Sequence, residues 1–246
     1  MINLNFFRKK TGKLPGGADS NVDTDLDQLL KEMKIRAVIF DLDGTLIDNN
    51  SFHLISWKRY LKNMGREISE EEYKMHINGR TNKDAVEYIY GRKMKEEEAM
   101  VYALEKEEIY RKLYKPLIKP VAGLLQFLHE LEKRGIPMAI ATSGIQVNID
   151  FMFDNIPIKK YFSVVVNSSH IKHGKPDPEI YLKAASMLDV PPKRCLVFED
   201  SVVGIQAARA AHMKVFAIAT THSKEELATA DMVIENFNIE NFKVNK

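Results

Sequence analysis

Three things are scarce in this chain of 246 residues: cysteine, tryptophan and an excess of charge of either sign. The single cysteine, Cys195, forms no internal disulfide. In KRCLVFED it opens an apolar run, so it reads as a buried strand residue rather than a nucleophile, and a reducing, cytoplasmic setting is expected. Thirty-six Lys and Arg against 34 Asp and Glu leave a formal charge of +2, which gives no electrostatic case for nucleic acid or a membrane surface as partner. Long apolar runs are missing too. None approaches the roughly 20 residues that cross a bilayer, so a soluble protein is expected. The short apolar patch of MINLNFFRKK precedes its basic cluster, the reverse of the order in an export signal. The rest is ordinary: 45% hydrophobic and 28% charged residues supply a sizeable core for one or two domains without covalent staples, and a monomer is expected.

Residues 1–34 read as an extension, disordered over 11–25, where Gly, Asp, Ser and Asn dominate, then briefly helical. Leu26, Leu29, Leu30 and Met33 recur at helical spacing. The stretch KIRAVIFDLDGTLID, residues 34–48, begins as a strand covered on both faces and finishes with two carboxylates, Asp41 and Asp43, before Gly44 breaks it. From residue 120 onward helices and strands alternate: GLLQFLHELEKR, PMAIAT, QVNIDFMFDN, YFSVVVN, PEIYLKAASML, CLVFED, VGIQAARAAH, KVFAIA, a last helix capped by Ser223 with Glu226, and ADMVIEN. That alternation predicts a parallel sheet with helices on both faces, built from 35–48 and 120–246. Residues 49–119 break the rhythm. They read as all helix, with a Ser69/Glu72 capping box and Glu and Lys runs taken as solvated helix faces, and they form an inserted cap over the carboxyl ends of the strands.

Four strand ends then meet. Asp41 and Asp43 follow the first strand, Thr142 and Ser143 end the second, Lys175 in GKPDPE follows the third, and Glu199 and Asp200 end the fourth. Singly, each suits a turn or a helix cap. Together they share the crevice where open α/β sheets bind ligands, and they make a phosphate-handling set. A phosphoryl group repels an attacking carboxylate, so a divalent cation must bridge the two and an ammonium must take up charge on the remaining oxygens. Mg²⁺ suits an all-oxygen donor set, here Asp41, Asp43, Glu199 and Asp200, and no His/Cys cluster points to zinc. Asp41 is the expected nucleophile, forming an aspartyl phosphate. Asp43 is the expected acid and base, and Thr142, Ser143 and Lys175 hold phosphoryl oxygens.

These residues in this order resemble the haloacid dehalogenase superfamily: DLDGT its nucleophile motif, Thr142 its hydroxyl motif, Lys175 its lysine motif and FEDS its acidic metal motif, over about residues 35–236. The resemblance implies a Rossmann-like core of strand order 3-2-1-4-5, with Gly44 and Thr45 joining the phosphate-binding set. The insertion resembles the helical cap of the branch containing β-phosphoglucomutase and small sugar phosphatases. It implies that His53 and Trp57 face the cap–core interface, and that Arg80 or Lys83 in NGRTNKD meets a second anionic group of a small phosphorylated substrate.

A Mg²⁺-dependent sugar-phosphate phosphatase is therefore the leading expectation. A phosphomutase is the alternative, but β-phosphoglucomutase carries Lys-Asn where this chain has Ile145 and Gln146, and its cap arginine aligns with Asn82. Pyrophosphate stays open as a substrate. A dehalogenase needs neither Asp43 nor a metal, a phosphonate hydrolase needs a cap lysine in a recognisable context, and a non-catalytic binding protein would be expected to lose Asp41, Asp43 or Lys175.

Overall fold

The computed structural model describes residues 20–242. Fifteen helices and strands follow in order: α1 (Ser20–Glu32), β1 (Ala37–Phe40), α2 (Asn50–Lys62), α3 (Glu70–His76), α4 (Asn82–Tyr90), α5 (Glu96–Tyr114), α6 (Leu124–Lys133), β2 (Met138–Ala141), α7 (Gln146–Asn155), β3 (Val164–Val166), α8 (Glu179–Met187), β4 (Cys195–Glu199), α9 (Val202–Ala210), β5 (Lys214–Ile218) and β6 (Met232–Ile234). The strands form one parallel sheet of order β3-β2-β1-β4-β5-β6. This is the expected order with β6 added at the edge.

Alternation along the strands divides the core in two. Val38, Phe40, Ile140, Leu196, Phe198 and Phe216 face one side, where Phe40 stacks on Phe198 at 5.2 Å and Phe127, Phe237 and Phe242 close the aromatic cluster. Ala37, Ile39, Ala139, Ala141, Val197 and Ala217 face the other. The small residues there let α8 and α9 approach closely through Ala184, Ala185, Ala207 and Ala208. Leu26, Leu29 and Leu30 of α1 are buried against the aromatic side, each worth on the order of 1.5–3 kcal/mol of apolar burial. Residues 11–19 of the segment expected to be disordered lie outside the described residues, and 20–25 belong to α1.

Between β1 and α6 lie four helices and no strand, and Trp57, Leu61, Tyr73, Val86, Ile89, Ala99 and Ala103 give them a core of their own. Helix α3 is capped by Ser69 Oγ, which accepts from Glu72 N at 3.0 Å. Only that half of the expected capping box forms, because the Glu72 carboxylate is taken by Arg66 and the Tyr88 hydroxyl. The expected last helix is likewise a run of turns over 224–229, although Ser223 and Glu226 do exchange their capping bonds. No helix among the described residues is long and apolar enough to cross a membrane.

Candidate active site

The sheet delivers Asp41 one residue beyond β1, with its N–H bonded to the Phe198 carbonyl of the neighbouring β4. Its Oδ1 accepts from Lys175 Nζ at 2.6 Å. The same ammonium donates to Glu199 Oε1, which also takes the Tyr181 hydroxyl at 2.8 Å, while Glu199 Oε2 accepts from Asp200 N, Ser201 N and Ser201 Oγ, all at 2.9 Å. All three charged groups are buried. Burial opposes ionisation of Glu199, but Lys175 and the surrounding donors outweigh it and hold the carboxyl below its ordinary range. Among the described residues Asp41 has only the one cation, shared with Glu199. Burial, assisted by the nearby carboxylates of Glu199 and Asp43, raises it to about 8. Asp200 is also raised well above its ordinary value, by burial and then by Glu199 and Asp41.

Asp41 and Asp200 are thus two buried, oxygen-only donors short of positive charge. That pattern fits a hard divalent cation of the Mg²⁺ type. Such an ion would supply the missing charge beside the phosphoryl group, with Asp41 and Asp200 as its side-chain ligands.

Asp43 lies two residues on and lines the same cavity. Asn49 Nδ2 donates to its Oδ1 at 2.6 Å, and His53 Nε2 stands 3.5 Å away. The other ring nitrogen of His53, Nδ1, lies 3.1 Å from Lys106 Nζ. An ammonium only donates, so Nδ1 accepts and the ring hydrogen sits on Nε2, facing Asp43. Lys106 bonds Glu107 at 2.6 Å, and Glu107 accepts from Asn148 at 2.8 Å. Burial works against the charged form of Asp43, but the bonds from His53 and Asn49 and the charge of Lys106 leave it below the ordinary carboxylate range. This relay departs from the expectation that the charged run of α5 is a solvated face: Lys106 and Glu107 are each 2% exposed. Replacing Lys106 with Met is expected to strand Glu107 without its cation and lower the melting midpoint. It should also release the His53 tautomer, moving the pH profile of turnover more than the affinity for substrate.

Asp41, Asp43, Asp200, His53, Lys106, Glu107 and Asn148 line a cavity of about 60 Å³, with Trp57, Asn50, Tyr73, Asn78, Arg80, Asn82, Thr142 and Ser143 completing its walls. Ser143 Oγ donates to the Gly79 carbonyl of the cap loop at 2.9 Å, and Thr142 Oγ1 accepts from Gly144 N at 3.0 Å. Asp41, Asp43, Asp200, Thr142, Ser143, His53, Trp57 and Arg80 therefore converge, with Lys175 directly behind Asp41.

Four expected positions fall elsewhere. Glu199 has both oxygens filled by donors, so it holds Lys175 and the turn after β4 rather than offering a ligand to a cation. The Gly44 N–H is committed to the Ile47 carbonyl and Asn49 Oδ1, not to a phosphate. Its positive φ of 76° and the 2.1 Å that would separate an added Cβ from Asp200 Oδ2 make it a close-approach glycine instead. Thr45 is fully buried away from the cavity, and its Oγ1 has no hydrogen-bond partner among the described residues. Lys83 is half-exposed and faces Glu87 and Glu96, at 3.9 and 4.0 Å, outside the cavity.

A buried carboxylate pair with a fixed ammonium at the strand ends, under a helical cap, defines a phosphoryl-transfer hydrolase of the α/β class. The family model of haloacid dehalogenase-like hydrolases matches residues 38–218, and the chain belongs to that family. Among its relatives, the chloroplastic 5-amino-6-(5-phospho-D-ribitylamino)uracil phosphatase of Arabidopsis thaliana is 32% identical over 80% of this chain, which spans about half (53%) of that protein. The validoxylamine A 7'-phosphate phosphatase of Streptomyces hygroscopicus subsp. limoneus is 30% identical, covering 82% of this chain and 93% of its own length. The β-phosphoglucomutase structure from Clostridium difficile superposes with a TM-score of 0.73 at 25% identity, over 83% of this chain and 92% of that one. Family and relatives together make the chain a phosphoric monoester hydrolase.

Proposed function

We propose that this protein is a Mg²⁺-dependent phosphatase of a small phosphorylated metabolite, a sugar phosphate being the best fit, acting through an aspartyl phosphate on Asp41. The observation that supports it most is the placement of Asp41, with Lys175 at 2.6 Å behind it and with Asp43 and Asp200 lining the same small cavity. Asp41 Oδ attacks phosphorus as the bond to the leaving oxygen breaks, and Asp43 delivers the proton that oxygen needs. The approach of anionic phosphoryl oxygens raises the proton affinity of Asp43 for this step. Once the leaving group departs, Asp43 returns to the ionised state that His53 and Asn49 favour and takes a proton from the water that cleaves the acyl phosphate. Lys175 and the Thr142 hydroxyl hold the phosphoryl oxygens, and Ser143 joins them once its hydroxyl leaves the Gly79 carbonyl. A divalent cation held by Asp41 and Asp200 would supply the charge that lets a carboxylate approach a phosphate.

Hydrolysis is favoured over phosphoryl return by Ile145 and Gln146. Ile145 is buried, and the Gln146 amide is occupied by Asp150 at 2.9 Å and Asn167 at 2.8 Å, so neither reaches the cavity to hold a second phosphate. One observation keeps the mutase reading in play: Arg80 lines the cavity with no ion pair among the described residues. Incubation with β-glucose 1-phosphate, Mg²⁺ and a bisphosphate activator separates the two. Free phosphate with negligible glucose 6-phosphate is expected, and a parallel panel of sugar phosphates, nucleotides and pyrophosphate identifies the substrate class. Glucose 6-phosphate forming faster than phosphate would overturn the phosphatase reading and assign Arg80 to the far phosphate. Full turnover after thorough chelation would remove the metal from it.

A further inference from the structure

We infer that Asn50 is a positioning residue that ties the orientation of Asp200 to closure of the cap, an inference that rests on the phosphatase reading for the role of Asp200 as a cation ligand. Asn50 is the first residue of α2, where the chain passes from core to cap, and it is 6% exposed. A side-chain amide has two N–H donors and two acceptor positions on its oxygen, and here all four are used. Nδ2 donates to Asp200 Oδ2 and to Thr221 Oγ1, both at 2.7 Å. Oδ1 accepts from the Tyr73 hydroxyl and from Asn78 Nδ2, both at 3.2 Å. The first two partners belong to the core. The second two belong to the cap, on α3 and the loop that follows it.

The arrangement leaves little slack. Thr221 Oγ1 also donates to Asp200 Oδ2, at 2.5 Å, so that oxygen is fixed from two sides, while Oδ1 carries no hydrogen bond among the described residues. Beneath them, a Cβ on Gly44 would stand 2.4 Å from Asn50 Nδ2 and 2.1 Å from Asp200 Oδ2, which shows how tightly the chain is drawn around this contact. A second path runs beside the first: Asn78 Oδ1 lies 3.1 Å from Nε2 of His222, the neighbour of Thr221. Opening the cap takes Tyr73 and Asn78 from the Asn50 carbonyl and exchanges two fixed donors for water, so the amide is held from both ends only in the closed state. A cation that fixes Asp200 therefore favours closure, and closure raises the affinity of Asp200 for the cation by the same factor.

The test measures Mg²⁺ affinity by calorimetry and closure by the emission of Trp57, the one tryptophan of the chain, which is buried in the cavity wall. Asn50→Ala is expected to weaken Mg²⁺ binding about 10- to 100-fold, as loss of a residue that orients a ligand does. Tyr73→Phe, which bonds no carboxylate, is expected to weaken it about threefold, and adding it to Asn50→Ala should change nothing further, because Tyr73 acts through Asn50. In wild type, Mg²⁺ with inorganic phosphate should shift Trp57 emission, and in Asn50→Ala the same shift should require correspondingly more Mg²⁺. Wild-type Mg²⁺ affinity in folded Tyr73→Phe, or fully additive losses in the double variant, would overturn the inference alone. A wild-type protein that binds no Mg²⁺ would overturn the phosphatase reading and the inference with it.

Discussion

Asp41→Asn is expected to lower turnover on the order of 10³-fold or more while leaving the fold intact, because an amide of the same shape removes the nucleophilic oxygen without opening a cavity. The substituted side chain still presents an oxygen to Lys175 Nζ, 2.6 Å away in the native site, so the buried ammonium keeps an acceptor. Stability should change little for a second reason. In the metal-free protein the Asp41 carboxyl is held up at about 8, mainly by burial, so at neutral pH its contribution is already close to that of an uncharged group. Acid quench of wild type during turnover should leave phosphate on the peptide containing Asp41, and none on the variant. A folded Asp41→Asn protein that releases phosphate at a tenth of the wild-type rate or faster would exclude the covalent route. Asp43→Asn is the useful contrast: it retains the nucleophile, so with a good leaving group the phosphoenzyme should accumulate rather than vanish.

The strand ends were legible because a parallel sheet writes itself as short apolar runs, and the residue after each run has to lie in one crevice. Asp41, Thr142 and Asp200 come together for that reason. The alternation of side chains along a strand also carried a signal that the acidic pair alone did not: Glu199 ends β4 and Asp200 follows it, so the two turn opposite ways, and only Asp200 reaches the cavity. Lys106 and Glu107 were hidden by their charge. Their register, however, was readable, since Ala99, Ala103, Tyr110 and Tyr114 form one buried stripe of α5 and positions 106 and 107 fall on it. What sequence does not carry is the tertiary pairing of Asn49 with Gly44 and Asp43, or of Asn50 with Asp200 and Tyr73. Two adjacent asparagines before a helix look like a loop and a cap. Their partners are up to 171 positions away, and nothing local distinguishes a solvated amide from one whose four bonds are all taken within the fold.

Lys175→Met is expected to be the most destabilising single change at the site and to end turnover as well. The ammonium is buried between Asp41 and Glu199 and lies 5.1 Å from the Tyr181 ring centroid, and its own proton is held well above the ordinary lysine range, since the two carboxylates outweigh the effect of burial. Methionine keeps the volume of the stem but leaves both carboxylates without a cation, and removing one partner of a buried pair costs about 3–5 kcal/mol. For a chain of this size that lowers the melting midpoint by roughly 10 °C. The deficit should depend on pH with a definite sign. Without Lys175 the Asp41 value, already raised, climbs further and that of Glu199 rises above its unfolded value, so their contribution to stability is fully present below the unfolded values and is lost as pH rises through the folded ones. Denaturant melts of chelated protein should therefore show the variant closest to wild type near pH 5 and furthest from it near pH 8. Adding Glu199→Gln separates the structural loss from the chemical one. The amide oxygen can still accept from Asp200 N and Ser201 N, and its N–H can donate toward Asp41, so much of the stability should return. Turnover should not, because no charge then remains to draw the phosphoryl oxygens toward the nucleophile. A double variant with restored turnover would show that Lys175 serves the fold alone.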